Sequence, residues 1–260
     1  LMTRDPTATF SRRVLRLAGS ALLVAGVGAL GVLGWQWRAG AVVERVAITG
    51  TQHAPPDTLR RLAQVDSGAA MGAVTPAFVA DRVARHPWVA SATVTPHWMY
   101  GTLTVAVTER TPAALAVDAQ GRPAYYLDRA GYAMPAADSA GYDVPLVRGL
   151  EAEAPWGQPD TTAAPAPLRR VLAALPGAEV AGLVSEIEVG PEGQLRLVTT
   201  PLDGHGTVSV RLGAGDLPRK LRTLRAVARQ VLAPQPQASI HEIDLRFDGQ
   251  VVTRTQPLDE

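Results

Sequence analysis

The sequence predicts an α+β protein in which one transmembrane helix precedes two extracytoplasmic domains. Residues 17–37 contain no charged side chain, and residues 41–111 follow the pattern strand, helix, helix, strand, strand. Residues 112–255 contain short strand patterns separated by Gly and Pro, together with an amphipathic helix. This third region is therefore expected to be a mostly antiparallel β-domain with a packed helix.

Residues 17–37 form the predicted transmembrane helix. At about 1.5 Å per residue, this stretch is long enough to cross a hydrocarbon core of roughly 30 Å. Three arginines precede it within positions 12–16, and two tryptophans end it. A basic flank marks the cytoplasmic side, so residues 1–16 are expected to be a disordered cytoplasmic tail. The alternative is a cleaved signal peptide, but its apolar region is shorter, about 7–15 residues, so a retained anchor is favoured.

The span also contains two patterns of small residues. Gly26, Gly28 and Gly31 spell G-x-G-x-x-G, but a dinucleotide-binding fingerprint lies between a strand and a helix, so this match is accidental. Alanine recurs every fourth residue from position 21 to position 29, a spacing that would let another helix pack closely. Small residues are common in such spans, and this simpler explanation is preferred.

Composition excludes several classes of function. The chain has 25 basic and 24 acidic residues, and its formal net charge of +1 gives no general attraction to nucleic acid. It contains no cysteine, which excludes disulfides, thiolate catalysis and cysteine-ligated metals. No phosphate-binding loop or other cofactor motif occurs, so no cofactor is expected.

Residues 41–111 are expected to form one domain next to the membrane. Asp57 is predicted to cap a short first helix, and Thr75 with Pro76 to begin a second helix that has Phe78 and Val79 on its apolar face. Alternating or β-branched runs predict the strands. The predicted strands are residues 42–49, 88–94 and 103–109.

Residues 112–255 are expected to form the second domain, followed by a tail over 256–260. Residues 151–167 are rich in Ala and Pro without an apolar period, which predicts an exposed loop. Residues 168–175 predict a short helix, and Asp216 is expected to cap a longer one with Lys220 among the basic residues of its solvated face. The predicted strands are residues 114–117, 124–127, 184–189, 194–199, 207–212, 240–247 and 250–255.

Several short motifs follow one another along residues 41–255. They are Val46–Gly50, His86–Val89 followed by Ala92–Val94, Leu103–Pro112, Tyr126–Tyr132, Val144–Gly149 and Ile243–Phe247 with Val251 and Val252. By their order and spacing together, these motifs resemble the FtsQ/DivIB family of bacterial cell division proteins. The resemblance covers nearly everything from residue 41 to residue 255. It implies that residues 41–111 form a polypeptide-transport-associated (POTRA) domain and that residues 112–255 form the β-domain of that family.

No pattern in the sequence indicates an enzyme. The five histidines are scattered without metal-ligand spacing, and the H-E pair at His241 is not followed by a second His, because Leu245 stands at that position. Glu109 and Asp128 are a candidate carboxylate pair, but acids at strand ends far more often form salt bridges or are solvated. The sequence therefore predicts no catalytic residue, no metal ligand and a non-enzymatic protein.

In the resembled family, the last strand of the β-domain lies at a sheet edge and engages FtsB and FtsL. An edge strand offers unpaired N–H and C=O groups to an incoming strand. Carried over to this sequence, the partner-binding residues are Phe247, Asp248, Gly249, Gln250, Val251, Val252 and Thr253. One of the two adjacent valines would point inward in a regular strand, and the alternative makes both ordinary core residues.

The resemblance implies a bitopic scaffold of the divisome that binds FtsB- and FtsL-type partners and links early and late division proteins. Other division proteins are expected to use the POTRA domain or the transmembrane helix. The expected location is the inner membrane at the septum, with the N-terminus cytoplasmic. A POTRA-containing transport or chaperone subunit and a membrane-anchored cell-wall hydrolase are the alternatives, although the former usually repeats the domain or ends in a barrel.

Overall fold

The computed structural model describes residues 7–136, 141–151, 154, 162–202, 206–232, 239–247 and 249–256, with the backbone alone for residues 7–18, 39, 192, 231, 232, 239 and 256. The chain divides into two compact units. The first unit takes in Leu1–Thr51, Pro55–Val83 and Ala92–Val107. The second unit takes in Gln52–Ala54, Ala84–Ser91 and Thr108–Glu260.

One long helix, α1 (Thr7–Gly40), contains the stretch that can cross a membrane. This stretch is Gly19–Arg38, 20 residues long, and none of it is buried within the protein. Residues 7–16 contain neither Gly nor Pro, and they continue the helix rather than forming the disordered tail expected from the sequence.

The region between α1 and residue 110 has the element order that the sequence predicts. Its elements are β1 (Arg45–Thr49), α2 (Pro56–Ala63), α3 (Pro76–Ala84), β2 (Val89–His97) and β3 (Thr102–Glu109). The strands form a sheet in the order β1-β3-β2, and β1 runs parallel to β3 with Arg45 opposite Thr102. Short 3₁₀ turns occupy Met71–Ala73 and Trp98–Tyr100.

The helices of this region bury one face each. Leu59 of α2, Val79 of α3 and Leu103 of β3 are all buried, as expected for amphipathic elements on a sheet. Two predictions of detail are wrong. Asp57 lies inside the first turn of α2, where it pairs with Arg60, because the helix already begins at Pro56. Phe78 is exposed, because it lies one residue ahead of the buried face.

Gly50 ends β1 in a conformation that only glycine adopts readily. Its φ is +83°, and a Cβ atom placed there would lie 2.1 Å from the carbonyl oxygen of Val107. No L side chain fits this approach without moving the backbone of β3.

The rest of the described chain contains nine strands and two α-helices. The strands are β4 (Ala114–Val117), β5 (Pro123–Leu127), β6 (Ala133–Pro135), β7 (Leu146–Arg148), β8 (Val184–Val189), β9 (Leu195–Thr199), β10 (Ser209–Arg211), β11 (Ser239–Asp244) and β12 (Val252–Gln256). The helices are α4 (Ala166–Ala174) and α5 (Leu217–Val227), the latter followed by a π-helical turn over Ala228–Leu232.

The nine strands form one sheet in the order β12-β11-β10-β9-β8-β7-β4-β5-β6. Five of the eight neighbouring pairs are antiparallel, in agreement with a mostly antiparallel domain. The pairs β4-β7, β7-β8 and β10-β11 are parallel, so the sheet is mixed. Two of the parallel pairs arise because α4 and α5 are crossover connections between the strands on either side of them.

One face of the large sheet is its core face. The side chains of Val147, Ile187, Leu197, Val210 and Ile243 stand opposite one another across β7 to β11, and all are fully buried. Both helices contribute to the same apolar cluster, as their amphipathic patterns predict. The residues they contribute are Leu168, Val171 and Leu172 of α4 and Leu217, Leu221, Leu224 and Val227 of α5.

The exposed loop predicted for residues 151–167 falls largely outside the described residues. Near its described end Ala164 is buried, and α4 begins at Ala166. The N–H groups of Ala163 and Ala164 both donate to the carbonyl of Gly131, at 3.0 and 3.2 Å. The prediction is therefore wrong for Ala164, which belongs to the apolar core, and for Ala163, which packs against it.

Candidate functional site

The residues predicted to bind a partner lie at one end of the nine-stranded sheet. Residues 247 and 249–251 connect β11 to β12, Val252 and Thr253 begin β12, and Asp248 lies outside the described residues. β12 pairs with β11 on one side, and none of the described strands pairs with its other side. That unpaired side is the free edge of β12, where backbone N–H and C=O groups are available to an incoming strand.

The pairing of β12 with β11 is regular next to the connection. Asp244 lies opposite Val252, Ile243 opposite Thr253 and Glu242 opposite Arg254. The register shifts between Ile240 and Glu242, and such a bulge increases strand twist and interrupts the ladder. Residues 252–254 are therefore the part of β12 with regular strand geometry at the free edge.

Three large apolar side chains are exposed at this site. Phe247 is 54% exposed, Val251 40% and Val252 43%. The expectation that one valine points inward is wrong, because β12 begins only at Val252 and Val251 belongs to the connection. The alternative that both are core residues is also wrong, because neither is buried.

Both faces of β12 are uncovered. Residues 252–255 alternate between the two faces of the sheet, and all four are exposed. On the core face, the side chains from Val147 on β7 to Ile243 on β11 are buried. The next residue across the sheet is Thr253 on β12, opposite Ile243, and it is exposed. A strand added at the free edge would therefore extend both the backbone ladder and the core face.

Asp244 and Arg246 pair with each other at the start of the connection between β11 and β12. The Arg246 guanidinium donates to both carboxylate oxygens of Asp244, with Nη2 at 2.7 Å from Oδ2, and the Arg246 N–H donates to Oδ1 at 2.9 Å. These bonds from Arg246 lower the pKa of the Asp244 carboxyl below its ordinary value. The Arg246 guanidinium also lies 5.8 Å from the ring centroid of Phe247.

Lys220 on α5 also contacts this connection. Its Nζ donates to the carbonyls of Leu212 at 3.0 Å, of Ala214, and of Arg246 at 3.5 Å. These carbonyls follow the ends of β10 and β11, so one ammonium group joins α5 to both strand ends. The expectation that Lys220 lies on a solvated face is wrong, because its side chain is buried.

The sheet face opposite the core face carries paired charges. Arg196 on β9 lies 3.3 Å from Glu188 on β8, and Arg211 on β10 lies 3.2 Å from Glu242 on β11. Glu242 also lies 3.8 Å from Arg254 on β12, and its buried Oε1 accepts no hydrogen bond from the described residues. Its attraction to both arginines is therefore one of charge, which acts without hydrogen-bond geometry.

A cleft of about 910 Å³ opens where several strands of this sheet end. Five arginines line it, at positions 148, 170, 196, 211 and 246. Four of them pair with a carboxylate of the sheet, at positions 186, 188, 242 and 244. The charges of the cleft thus serve mainly to join neighbouring strands.

The candidate carboxylates Glu109 and Asp128 each have structural partners. Glu109 accepts backbone N–H bonds from Gln52 at 2.9 Å and Ala54 at 2.8 Å, and lies 3.0 Å from Nδ1 of His53. Asp128 pairs with Nη1 of Arg110 at 2.7 Å and accepts from the N–H groups of residues 130 and 132. The salt-bridge interpretation is confirmed for Asp128, whereas Glu109 is held by backbone N–H groups and by a contact with His53 that is a salt bridge only when that histidine is protonated. No group of three metal-ligating side chains occurs within the described ranges.

His53 also joins an aromatic cluster in the second unit. Its ring stacks on Trp88 with centroids 4.4 Å apart, and Nε2 lies 2.7 Å from the hydroxyl of Tyr142. Tyr126 packs edge-on against Tyr142 at 5.3 Å. Burial, with Tyr126 and Glu109 nearby, raises the pKa of the Tyr142 hydroxyl above its ordinary value.

Comparison with known proteins covers both regions of the chain. Residues 42–110 match the family model described as POTRA domain, FtsQ-type, and residues 111–254 match the model described as FtsQ/DivIB, C-terminal related. A cell division protein FtsQ from Salinibacter ruber is 70% identical over 258 residues, which cover 99% of this chain and 100% of the relative. The chain belongs to the FtsQ/DivIB family.

Further FtsQ relatives extend this result. The Rhodothermus marinus protein is 45% identical over 94% of this chain and 88% of its own length, and the Anaeromyxobacter protein 34% identical over 87% and 76%. Membership of the FtsQ/DivIB family confirms the resemblance drawn from the motifs. Family membership also agrees with the α+β architecture of an apolar N-terminal helix, a POTRA domain and a β-domain. This architecture fits a single-span membrane protein.

Proposed function

We propose that the protein is a non-enzymatic scaffold of the division machinery that captures FtsB- and FtsL-type partners by strand addition at the free edge of β12. The chain is a cell division protein by family. The observation that carries the proposal is the free edge of β12, with which no described strand pairs. The side chains of this strand from Val252 to Thr255 are all exposed, so both of its faces are accessible as well. Main-chain pairing would supply affinity there, and alternate side chains would supply selectivity.

The partner-binding residues in this proposal are those predicted from the sequence. Phe247, Val251 and Val252 offer apolar surface beside the edge, and Gly249, with a φ of +76°, forms the turn between the strands. Gln250 and Thr253 complete the described set, and Asp248 stays a sequence prediction. The Arg246–Asp244 pair and Lys220 hold this surface in place without contacting the partner.

The one helix within the described part of the chain that can cross a membrane supports a bitopic topology, with the arginines before the span on the cytoplasmic side and both domains outside. In this arrangement the membrane confines the protein and its single-span partners to one surface, which raises their effective concentration. The POTRA domain and α1 are then free to bind further division proteins, and the scaffold would concentrate at the septum.

Proline substitution tests the edge. Successive residues of a strand direct their N–H groups to opposite sides, so one of V252P and T253P removes a donor from the free edge and the other removes a ladder donor to β11. Binding of the purified FtsB- and FtsL-type proteins of the same organism is measured by pull-down and calorimetry. The edge-facing proline should abolish capture while thermal unfolding stays near wild type. Unchanged binding in both variants would refute edge capture, and a loss of binding that comes only with a clearly lowered unfolding temperature of the same variant would reduce the effect to misfolding.

A further inference from the structure

The turn between β2 and β3 presents apolar side chains to the outside of the protein. Trp98, Met99 and Tyr100 form a 3₁₀ turn, in which Met99 is 76% exposed and Tyr100 70% exposed. Single exposed apolar residues are common on protein surfaces, but adjacent large ones mark a surface that something covers.

This turn is joined to the C-terminal end of α1. The guanidinium carbon of Arg38 lies 4.3 Å from the ring centroid of Trp98, a cation–π contact between the last residue of the apolar stretch and the first residue of the turn. All of these residues belong to the first unit. The depth at which Arg38 sits therefore determines the depth of the turn.

Backbone hydrogen bonds make the connection rigid. The N–H groups of Glu44 and Arg45 donate to the carbonyl of Gly101 at 2.7 and 3.2 Å, which ties the start of β1 to the end of the turn. Gly101 has a φ of +55°, and a Cβ there would lie 2.7 Å from Cγ of Glu44. The N–H of Met71 donates to the carbonyl of Ala41 at 2.8 Å, so only a few residues, all bonded, separate the helix from the domain.

The same end of α1 lies in the interfacial layer if the helix spans a bilayer. The apolar stretch ends at Arg38, and Trp35 and Trp37 are exposed just before it. Tryptophan and tyrosine favour the interface, where the ring meets apolar chains and the polar group meets water. The turn brings a further Trp and Tyr to this level from a second part of the chain.

We propose that Trp98, Met99 and Tyr100 insert into the headgroup layer of the membrane that α1 spans, as a second lipid contact of the chain. The proposal depends on α1 spanning the membrane and is independent of partner binding at β12. The inserting side chains are uncharged, so the ligand is the lipid interface itself rather than an anionic headgroup. Two separate contacts prevent the first unit from turning freely about the helix axis.

The absence of cysteine from the sequence permits a direct test. The full chain carrying M99C is labelled with a polarity-sensitive fluorophore and placed in nanodiscs of phosphatidylcholine, with or without phosphatidylglycerol. The expected result is blue-shifted emission and quenching by lipids that carry a spin label near the headgroup, alike in both lipid mixtures. D57C is the matched control, because Asp57 is exposed and follows β1 at the end away from the turn.

Two outcomes would overturn the proposal. Emission and quenching of the M99C label equal to those of the D57C label would place the turn in water. A blue shift that appears only after a purified division partner is added would make the turn a protein-binding surface. Thermal unfolding of both labelled variants should match wild type, because both side chains are exposed, and this comparison excludes misfolding as the cause of a shift.

Discussion

Glu242 on β11 lies directly opposite Arg254 on β12, and its Oε1 atom is between two guanidinium groups, 3.2 Å from Arg211 and 3.8 Å from Arg254. The Glu242 side chain is mostly buried, whereas that of Arg254 is 61% exposed. Arginine carries five N–H donors, and those of Arg254 are largely open to solvent. The row of charges across the sheet therefore ends in a positive group at the free edge.

This arrangement predicts that a captured strand places a carboxylate opposite Arg254. Opposite charges paired across strands contribute roughly 0.2–1 kcal/mol, and reversal adds repulsion, so R254E should weaken such a partner roughly twofold to tenfold. Calorimetric titration with the FtsB-type partner measures the change. R196E, which alters an arginine three strands from the edge, is the matched control and should bind normally. If R254E bound with full affinity, the predicted carboxylate opposite Arg254 would be contradicted, but strand addition at the free edge of β12 would not.

Replacing the buried lysine should destabilise the second unit. K220M leaves the carbonyls of Leu212, Ala214 and Arg246 without their donor. Because hydrogen bonds to charged groups contribute about 1.5–3 kcal/mol, the free energy of unfolding should fall by about that amount in urea denaturation. R219M changes the exposed neighbour on the same helix and should stay close to wild type. Equal stability of the two variants would mean that water satisfies these carbonyls.

Glu109 should make stability depend on acid pH. Burial alone would raise the pKa of its carboxyl, but hydrogen bonds from Ala54, Gln52 and His53 outweigh burial and lower the pKa below its ordinary value. Its contribution is therefore complete above the unfolded pKa of about 4.3 and is lost as the pH falls through the lower folded pKa. In denaturation curves from pH 7 to pH 3, the stability advantage of wild type over E109Q should shrink below about pH 4.3. An advantage independent of pH would contradict this ionic role.

Two glycine substitutions separate backbone strain from steric contact. G50A combines a left-handed φ with a Cβ 2.1 Å from the Val107 carbonyl, whereas Gly68, with a φ of +87°, has open space around its Cβ position. G68A should destabilise by about 1–2 kcal/mol, and G50A by a further 1–3 kcal/mol or so from overpacking. Chemical denaturation of both variants measures the difference. Equal losses would show that β3 relaxes around the new methyl group.

Much of the fold follows from local pattern in the sequence. Hydrophobic period and Gly or Pro boundaries predicted the apolar span, the strand-helix-helix-strand-strand order and β8 at its observed limits. β6 and β7 have three residues each, too few for an alternating pattern to be visible. Phe78 was misassigned because adjacent apolar residues in a helix lie about 100° apart, and only the neighbouring elements decide which of them is buried.

The candidate site was less predictable. The edge position of β12 depends on the order of strands in space, for which family resemblance was the guide. The exposure of Val251 and Val252 depends on where β12 begins and how far the helices cover it. Lys220 follows the same helical spacing as Leu217 and Leu224, a signal that was present, but its three carbonyl partners lie up to 26 residues away and leave no local trace.

The parallel pairing of β1 with β3 has a mechanical consequence for an anchored protein. Tension from the membrane helix enters β1 at Arg45, and tension from the rest of the chain enters β3 at Glu109. Since the strands run in the same direction, these points are at opposite ends of the paired segment, where five residues of β1 face five of β3. A pull slides one strand along the other, so the backbone hydrogen bonds share the load in shear instead of opening one after another.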